Sequence, residues 1–243
     1  MIEHHIDIQT TEGLMGSFIC HPEENGPFPV ILFFMDAPGK REELHDMARR
    51  LATTGYYVVL PNLYYRTTDH FELDFETGSN VEEMFTLMAG IGNRMVVRDT
   101  EEILNFLKSD DNADEESIGC VGYCMSGPFS LYVASAFPLQ IKAAASIYGV
   151  RLVVDADDSP HLGFPQTKAE LYIACAEHDE YVPLEMIEQV STEIEQSGVN
   201  GRVELYEGTH HGFAFPGRGK IYDKEAAERH WERLHALFDR NLR

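Results

Sequence analysis

The sequence predicts an α/β domain with a mostly parallel central sheet that helices flank on both faces. Nearly continuous apolar runs such as 30–34 are typical of strands buried on both faces. These runs alternate with segments whose apolar residues recur at helical spacing, and such alternation indicates a covered parallel sheet. The chain has no internal repeat, low-complexity segment or flexible linker. We therefore predict a single domain over residues 1–243.

The first part of the chain predicts an antiparallel start followed by a strand, a helix and another strand. The two opening strands, at 3–10 and 15–20, are joined near Gly13. The helix has a stripe of four apolar residues and is closed by a glycine, Gly55, which often ends helices. The strand after it stops at Pro61. The three later elements are predicted at 29–35, 41–54 and 56–60.

Residues 62–92 interrupt this alternation. They are acidic and aromatic, and they contain one helix-like piece at 81–88. A stretch of this length between regular elements is usually an insertion over a site or a cap. We therefore expect 62–92 to be an insertion or cap-like segment over the functional site.

Strands and helices alternate again after residue 92. A charged turn is predicted at 110–117 and a loop at 149–167. The helices are predicted from their apolar stripes and the strands from their apolar runs. Helices are expected at 93–108, 129–136, 184–197 and 224–240, and strands from Ile118 and at 141–148, 169–176 and 202–206.

The composition limits the classes of partner. A net charge of −22 disfavours nucleic acids and anionic membranes, although it permits a small anionic substrate bound by local arginines. The N-terminus lacks the basic and apolar regions of a signal peptide, and no apolar run is long enough to span a bilayer. The four cysteines include no C-x-x-C pair. We expect a cytoplasmic protein with reduced thiols, a monomer or small homo-oligomer that acts on a small molecule.

The segment around Cys124 has the layout of a nucleophile elbow, in which a strand, a sharp turn and a helix follow one another. The nucleophile of an elbow sits in a strained backbone conformation, so the residues two before and two after it must be small. Gly122 and Ser126 hold those places, Gly127 follows, and Pro128 suits a first helical turn. From this motif alone, a buried core cysteine is an equally good interpretation.

Two further strand ends carry the residues that a thiol nucleophile needs. Asp179 follows the strand at 169–176, and His211 follows the strand at 202–206. A thiol with a pKa of about 8.5 gains from an adjacent base, and the histidine needs a carboxylate on its other nitrogen. Glu177 and Glu180 are rival carboxylates, and His210 is chemically equivalent to His211. The order nucleophile, acid, histidine nevertheless matches α/β-hydrolase sheets and favours a catalytic triad.

The chain resembles the dienelactone hydrolase family over nearly its whole length. The resemblance is carried by the elbow, by the Asp179 segment and by the segment around His211, and also by 36–39 and 61–66. It implies an α/β-hydrolase fold, a triad of Cys124, His211 and Asp179, and hydrolysis of a lactone or activated ester without a metal or other cofactor.

Two positions depart from the family pattern. Where the resemblance implies a glutamate near the thiol, this sequence has Asp36, one methylene shorter. Of two arginines that the resemblance implies for a substrate carboxylate, Arg66 matches one and Phe215 stands in place of the other, with Arg218 three residues on. Aromatic residues of the 62–92 segment, Tyr64 among them, suggest a hydrophobic or planar acyl group.

The predicted mechanism is attack by the Cys124 thiolate and formation of a thioester acyl-enzyme. The backbone N–H groups of Met125 and of Ala37 or Asp36 are expected to hold the oxyanion. The alternatives are a general carboxylesterase or thioesterase, a ligand-binding protein of the same fold, and a thiol redox protein. A Cys120–Cys124 disulfide is disfavoured because strand geometry places the two residues about 13 Å apart.

Overall fold

The computed structural model describes all residues, 1–243. The chain forms eight strands and six α-helices, which mostly alternate from β3 onward. Short 3₁₀ turns occupy Cys124–Ser126, Pro160–Gln166 and Pro216–Ile221. The strands are β1 (Ile2–Thr10), β2 (Gly13–His21), β3 (Phe28–Phe34), β4 (Tyr57–Pro61), β5 (Ala113–Tyr123), β6 (Ile141–Ile147), β7 (Glu170–His178) and β8 (Gly201–His210). The helices are α1 (Glu42–Ala52), α2 (Val81–Ala89), α3 (Asn93–Leu107), α4 (Gly127–Ala136), α5 (Leu184–Ser197) and α6 (Lys224–Leu242).

All eight strands form one sheet in the order β1-β2-β4-β3-β5-β6-β7-β8. The pairings β1–β2 and β2–β4 are antiparallel, and every pairing from β4–β3 to β7–β8 is parallel. The predicted α/β class and its antiparallel start are confirmed. One hydrophobic cluster of 72 buried residues connects the helices to this sheet.

Adjacent residues of β5 show that helices cover both faces of the sheet. A Cβ added at Gly119 would lie 2.8 Å from the ring of Phe238 on α6. The next residue, Cys120, points to the other face, where its thiol donates to the Ser130 carbonyl of α4 at 3.3 Å. Because side chains alternate along a strand, α6 and α4 lie on opposite faces.

The largest differences between the predicted elements and the structure lie in three segments. The turn predicted at 110–117 is partly strand, because β5 begins at Ala113 and pairs with Phe28 before a register shift near Val30. The strand predicted at 202–206 extends to His210, because it continues to pair with β7 beyond a second irregularity. The loop predicted at 149–167 contains the 3₁₀ turn Pro160–Gln166.

The topology positions the predicted site. The carboxyl ends of parallel strands lie at one edge of the sheet, where ligands bind in open α/β sheets. Cys124 follows β5 immediately, Asp179 follows β7, and His211 follows β8. Asp36 lies two residues beyond β3. No helix is long and apolar enough to cross a membrane.

Candidate active site

Cys124 occupies the strained position that an elbow nucleophile requires. Its φ is 55°, in the left-handed region that non-glycine residues rarely adopt. A Cβ at Gly122 would lie only 1.9 Å from the Ser126 carbonyl oxygen, so the turn closes only over a glycine. The Cys124 carbonyl accepts from the N–H of Gly127 and, at 3.2 Å, from that of Val150. Backbone hydrogen bonds from two elements therefore hold the strained residue in place.

Ser126 replaces the glycine of the usual elbow pattern, and the structure shows how it fits. Its side chain is buried, and its hydroxyl donates to the Met35 carbonyl at the end of β3. The close approach instead occurs at Gly127, where an added Cβ would lie 2.4 Å from the Gly149 Cα. The serine thus connects the elbow to the neighbouring strand, and the following glycine accommodates the tight packing.

Asp179 and His211 form a hydrogen-bonded pair beside the elbow. His211 Nδ1 lies 2.7 Å from Asp179 Oδ2, and the Asp179 side chain is fully buried. Because a carboxylate only accepts, Nδ1 carries the hydrogen and Nε2 is left free to accept a proton. Asp179 Oδ1 accepts from the Tyr181 N–H at 2.9 Å, which fixes the carboxylate.

Cys124 affects the pKa of His211, whose Nε2 is the nitrogen that Asp179 does not bind. Burial alone would lower the pKa of His211, but the hydrogen bond to Asp179 and the charges of Cys124 and Asp179 raise the pKa to about 9. Nε2 itself is buried and has no hydrogen-bond partner of ordinary geometry. The ring is held between Tyr148 and Tyr181, with centroids at 5.0 and 4.9 Å. In this arrangement His211 Nε2 is available to exchange a proton with the Cys124 thiol.

The rival residues have other partners. Glu177 accepts the N–H of Gly208 at 2.7 Å and does not contact His211. His210 is the last residue of β8, is exposed, and packs against His178 with ring centroids 5.3 Å apart. Of the two adjacent histidines, the structure brings only His211 to Asp179.

The two residues expected to supply oxyanion donors lie close to one tyrosine. The buried Tyr64 hydroxyl donates to the Ala37 carbonyl at 2.8 Å and lies 3.4 Å from Met125 Sδ. Neither the Ala37 nor the Met125 backbone N–H donates in a loop or turn hydrogen bond. Tyr64 therefore connects the loop after β3 to the residue that follows Cys124.

Asp36 is held by two arginines. Arg41 Nη1 lies 2.5 Å from Asp36 Oδ1, and Arg218 Nη2 lies 3.1 Å from Oδ2. The carboxylate is fully buried, and the Phe75 and Phe215 rings stack on both guanidinium groups. Neither oxygen of Asp36 makes a hydrogen bond to Cys124. The Arg218 guanidinium is therefore bound to Asp36 and is not free for a substrate carboxylate.

Arg66 is not brought to the cluster around Cys124. Its guanidinium makes two hydrogen bonds to Asp99, at 2.9 and 2.6 Å, and a third to Glu12 at 2.6 Å. It also stacks on the Tyr65 ring. Phe215 is fully buried and packs against Tyr123. Neither position offers a free guanidinium to a substrate.

Some residues of the site were not identified from the sequence. Tyr148, the last residue of the strand predicted at 141–148, follows β6 with a φ of 38° and packs its ring on His211. Arg41, predicted as the first residue of a helix, immediately precedes α1, and its side chain binds Asp36. An arginine close to an acid in sequence was the only available signal. Within the site, no group of three or more His, Cys, Asp or Glu side chains could hold a metal ion.

A cavity of about 230 Å³ adjoins Met125. Its walls come from the end of α2, the start of α3, the start of α4 and the 150–158 loop. Apolar side chains form most of the lining, namely Met88, Ala89, Ile91, Met125, Pro128, Phe129, Val150 and Val154. The 62–92 segment therefore contributes both Tyr64 and part of a cavity wall beside the elbow.

Comparison with known proteins assigns the family. Residues 15–242 match the sequence profile of the dienelactone hydrolase family. The chain belongs to the dienelactone hydrolase family. This membership confirms the resemblance and the predicted class of enzyme, a hydrolase of esters or lactones.

Individual relatives of this dienelactone hydrolase family member are distant but cover it fully. A protein of Synechocystis sp., provisionally named a carboxymethylenebutenolidase, is 25% identical and covers 98% of this chain and 99% of its own. A protein of Methylorubrum extorquens with the same provisional name is 27% identical and covers 98% and 81%. A crystal structure from Klebsiella pneumoniae, described provisionally as a dienelactone hydrolase, superposes with a TM-score of 0.87 at 22% identity and covers 98% of both chains. At that identity the superposition supports the fold.

Proposed function

We propose that this protein is a cysteine-dependent hydrolase of a lactone or activated ester, with Cys124, His211 and Asp179 as its catalytic triad. The observation that carries the proposal is the strained Cys124 beside a histidine whose other nitrogen is fixed by a buried carboxylate. A structural core cysteine would need neither the left-handed backbone nor the adjacent pair.

The proposed first half-reaction forms a thioester. His211 Nε2 holds the proton that Cys124 has given up, and the thiolate attacks the substrate carbonyl carbon. The N–H groups of Met125 and Ala37 hold the resulting oxyanion, and Asp179 stabilises the imidazolium. The intermediate then collapses, the bond from carbon to the alkoxy oxygen breaks, and the imidazolium gives its proton to the leaving alcohol.

The second half-reaction returns the free enzyme. His211 takes a proton from water, and the hydroxide attacks the thioester carbonyl through a second oxyanion intermediate. Collapse breaks the bond between carbon and sulfur, releases the carboxylic acid, and returns the proton to the thiolate. We also propose that the single α/β domain uses residues 62–92 as a cap over this site. The Tyr64 hydroxyl contacts the Met125 sulfur, and Met88 lines the cavity beside Met125.

A general carboxylesterase or thioesterase is the second candidate. Neither Arg66 nor Phe215 presents a free guanidinium, so the carboxylate recognition that the resemblance implies has no support at those positions. The proposed chemistry is the same for this candidate, and only the substrate differs.

The test is hydrolysis of p-nitrophenyl acetate, a thioester and a dienelactone, before and after treatment with iodoacetamide. Mass spectrometry maps the carboxymethyl label, and Cys124→Ala serves as the unlabelled control. Loss of turnover in proportion to the label on Cys124, and no turnover by Cys124→Ala, are expected. Activity that survives complete labelling of Cys124 would refute the triad. A labelled but inherently inactive protein would favour a ligand-binding role.

A further inference from the structure

We propose that Arg151 binds a carboxylate at the far end of the substrate's acyl group, within the cavity beside Met125. The inference rests on the proposed function and specifies its substrate class. The expected substrates are esters of short dicarboxylic acids in which the second carboxylate is free.

Arg151 is the one arginine of the chain without an ionic partner. Every other arginine has a carboxylate oxygen within 4.0 Å. Arg151 is exposed and has no such partner, although the chain carries a net charge of −22. In a protein so rich in acids, an unpaired guanidinium at a cavity is available for a ligand's anion.

The backbone at Arg151 is also unusual. Its φ is 55°, a left-handed conformation that glycine would adopt without strain. Glycine at this position would relieve the strain, so the arginine side chain is not there to stabilise the turn. Strained non-glycine residues occur most often at functional sites.

The surroundings of the cavity favour an anion. The cavity includes Gly92 and Asn93 at the start of α3, and Pro128 in the first turn of α4. Neither helix has a side-chain cap or an acidic residue in its first turn. Helix N-termini carry partial positive charge, which adds to that of Arg151. Asp158 is the only carboxylate in the lining, and it is not paired with Arg151.

The position of the cavity identifies the part of the substrate that it takes. Met125, the expected oxyanion donor, forms part of the wall, whereas His211, Tyr148 and Tyr181 do not. In the proposed reaction the leaving alcohol must receive its proton from His211, so the alcohol lies on the histidine side. The cavity therefore holds the acyl chain, with methylene groups against Met88, Ile91 and Phe129 and the carboxylate at Arg151.

The experiment compares kcat/KM for p-nitrophenyl butyrate with that for the mono-p-nitrophenyl esters of succinic, glutaric and adipic acids. Arg151→Gln is expected to lower the value for the best half-ester by about tenfold or more, which corresponds to loss of one charge-assisted hydrogen bond. The butyrate ester should change by less than about twofold. Arg151→Lys should restore part of the preference, and added salt should reduce the preference of the wild type but not that of Arg151→Gln.

Two further variants distinguish a carboxylate contact of Arg151 from a general effect of removing a positive charge or of disturbing the fold. Arg94→Gln removes a nearby positive charge that is already paired with Asp157 and should leave the preference unchanged. Arg151→Gly should keep the fold, because the position favours glycine, and should lose the preference as Arg151→Gln does. Equal effects on butyrate and half-esters, or an equal effect of Arg94→Gln, would overturn the proposal.

Binding measurements distinguish failure of this inference from failure of the proposed chemistry. Glutarate is titrated by calorimetry into the Cys124→Ala protein with Arg151 present or replaced by Gln. Binding that depends on Arg151 supports the subsite even if no ester is hydrolysed. Normal hydrolysis of the neutral ester without any Arg151-dependent binding or preference refutes the subsite and leaves the triad intact.

Discussion

The Tyr64 hydroxyl donates a 2.8 Å hydrogen bond to the carbonyl oxygen of Ala37. The same hydroxyl lies 3.4 Å from the sulfur of Met125, and the tyrosine is buried. One side chain from the 62–92 segment thus fixes both loops that are expected to hold the oxyanion. Preorganised donors cost no reorganisation during the reaction, so this contact should affect the rate.

We expect Tyr64→Phe to lower kcat/KM for a neutral ester by about tenfold and to destabilise the fold by about 1–3 kcal/mol, because the buried Ala37 carbonyl loses its partner. Tyr65→Phe is the matched control, since the Tyr65 hydroxyl also makes two hydrogen bonds, to Asp99 and Thr10. The control should lose stability but keep kcat. Equal kinetic losses in the two variants would show that Tyr64 has no particular role at the oxyanion site.

The parts of the site that local sequence determines could be predicted. The elbow depends on small residues within a few positions of Cys124, and that pattern is visible in the chain itself. β7 is a buried strand with a nearly continuous apolar run, so the strand end that carries Asp179 could also be located. β8 is mostly exposed or half-buried, and its predicted end falls four residues short of His210. The order of residues along the chain does not distinguish His211 from His210, and only the family resemblance selects His211. The structure gives a physical reason, since β8 extends to His210 and His211 is the first residue after it.

The parts that depend on distant pairing could not be predicted. Arg66 binds Asp99, 33 residues away, and Arg218 binds Asp36, 182 residues away. A sequence shows many acids for each arginine and does not show which acid each arginine meets. For the same reason the sequence gives no signal that Arg151 alone lacks a partner.

Replacing Asp179 should change the pH dependence of the reaction. The raised pKa of His211 means that the imidazolium persists up to about pH 9, where it can protonate a leaving alcohol. Alkyl esters, which need that proton, should show kcat/KM falling above about pH 9, whereas p-nitrophenyl esters should not. Asp179→Asn removes a contribution that raises the pKa while burial remains, so the fall should move to lower pH.

The same variant should lower kcat by about 10⁴-fold, the loss found when the carboxylate of a serine triad is replaced by an amide. Glu177→Gln is the control, because it removes one negative charge two residues away and leaves His211 paired. An unchanged pH profile in Asp179→Asn would contradict the assignment. The pH dependence of stability provides a separate check. Because the pKa of His211 is higher in the folded protein than its ordinary value of 6.5, protonated His211 stabilises the native state fully below pH 6.5, and this stabilisation is lost as the pH rises through about 9.

Gly122→Ala should disrupt the elbow. The added Cβ would lie 1.9 Å from the backbone oxygen of Ser126, which cannot move without changing the turn at Cys124. We expect a loss of about 1–3 kcal/mol in the free energy of unfolding, together with slower alkylation of Cys124 by iodoacetamide. Gly16→Ala in β2 is the control, since its Cβ would meet only Asp7, at 3.6 Å. A stable variant with normal alkylation would show that the elbow tolerates a side chain there.

Asp36→Asn should destabilise the protein more than it affects chemistry. The carboxylate is fully buried between Arg41, whose side chain is 3% exposed, and Arg218. Its neutralisation leaves Arg218 without an anion and leaves Arg41 with Glu43 alone. Removing one partner of a buried ion pair lowers the free energy of unfolding by about 3–5 kcal/mol. Urea unfolding measures this loss, and Asp239→Asn, which breaks the exposed pair with Arg243, should change stability by less than about 1 kcal/mol. If Asp36→Asn kept its stability but lost turnover, the residue would act on the thiol rather than through the two arginines.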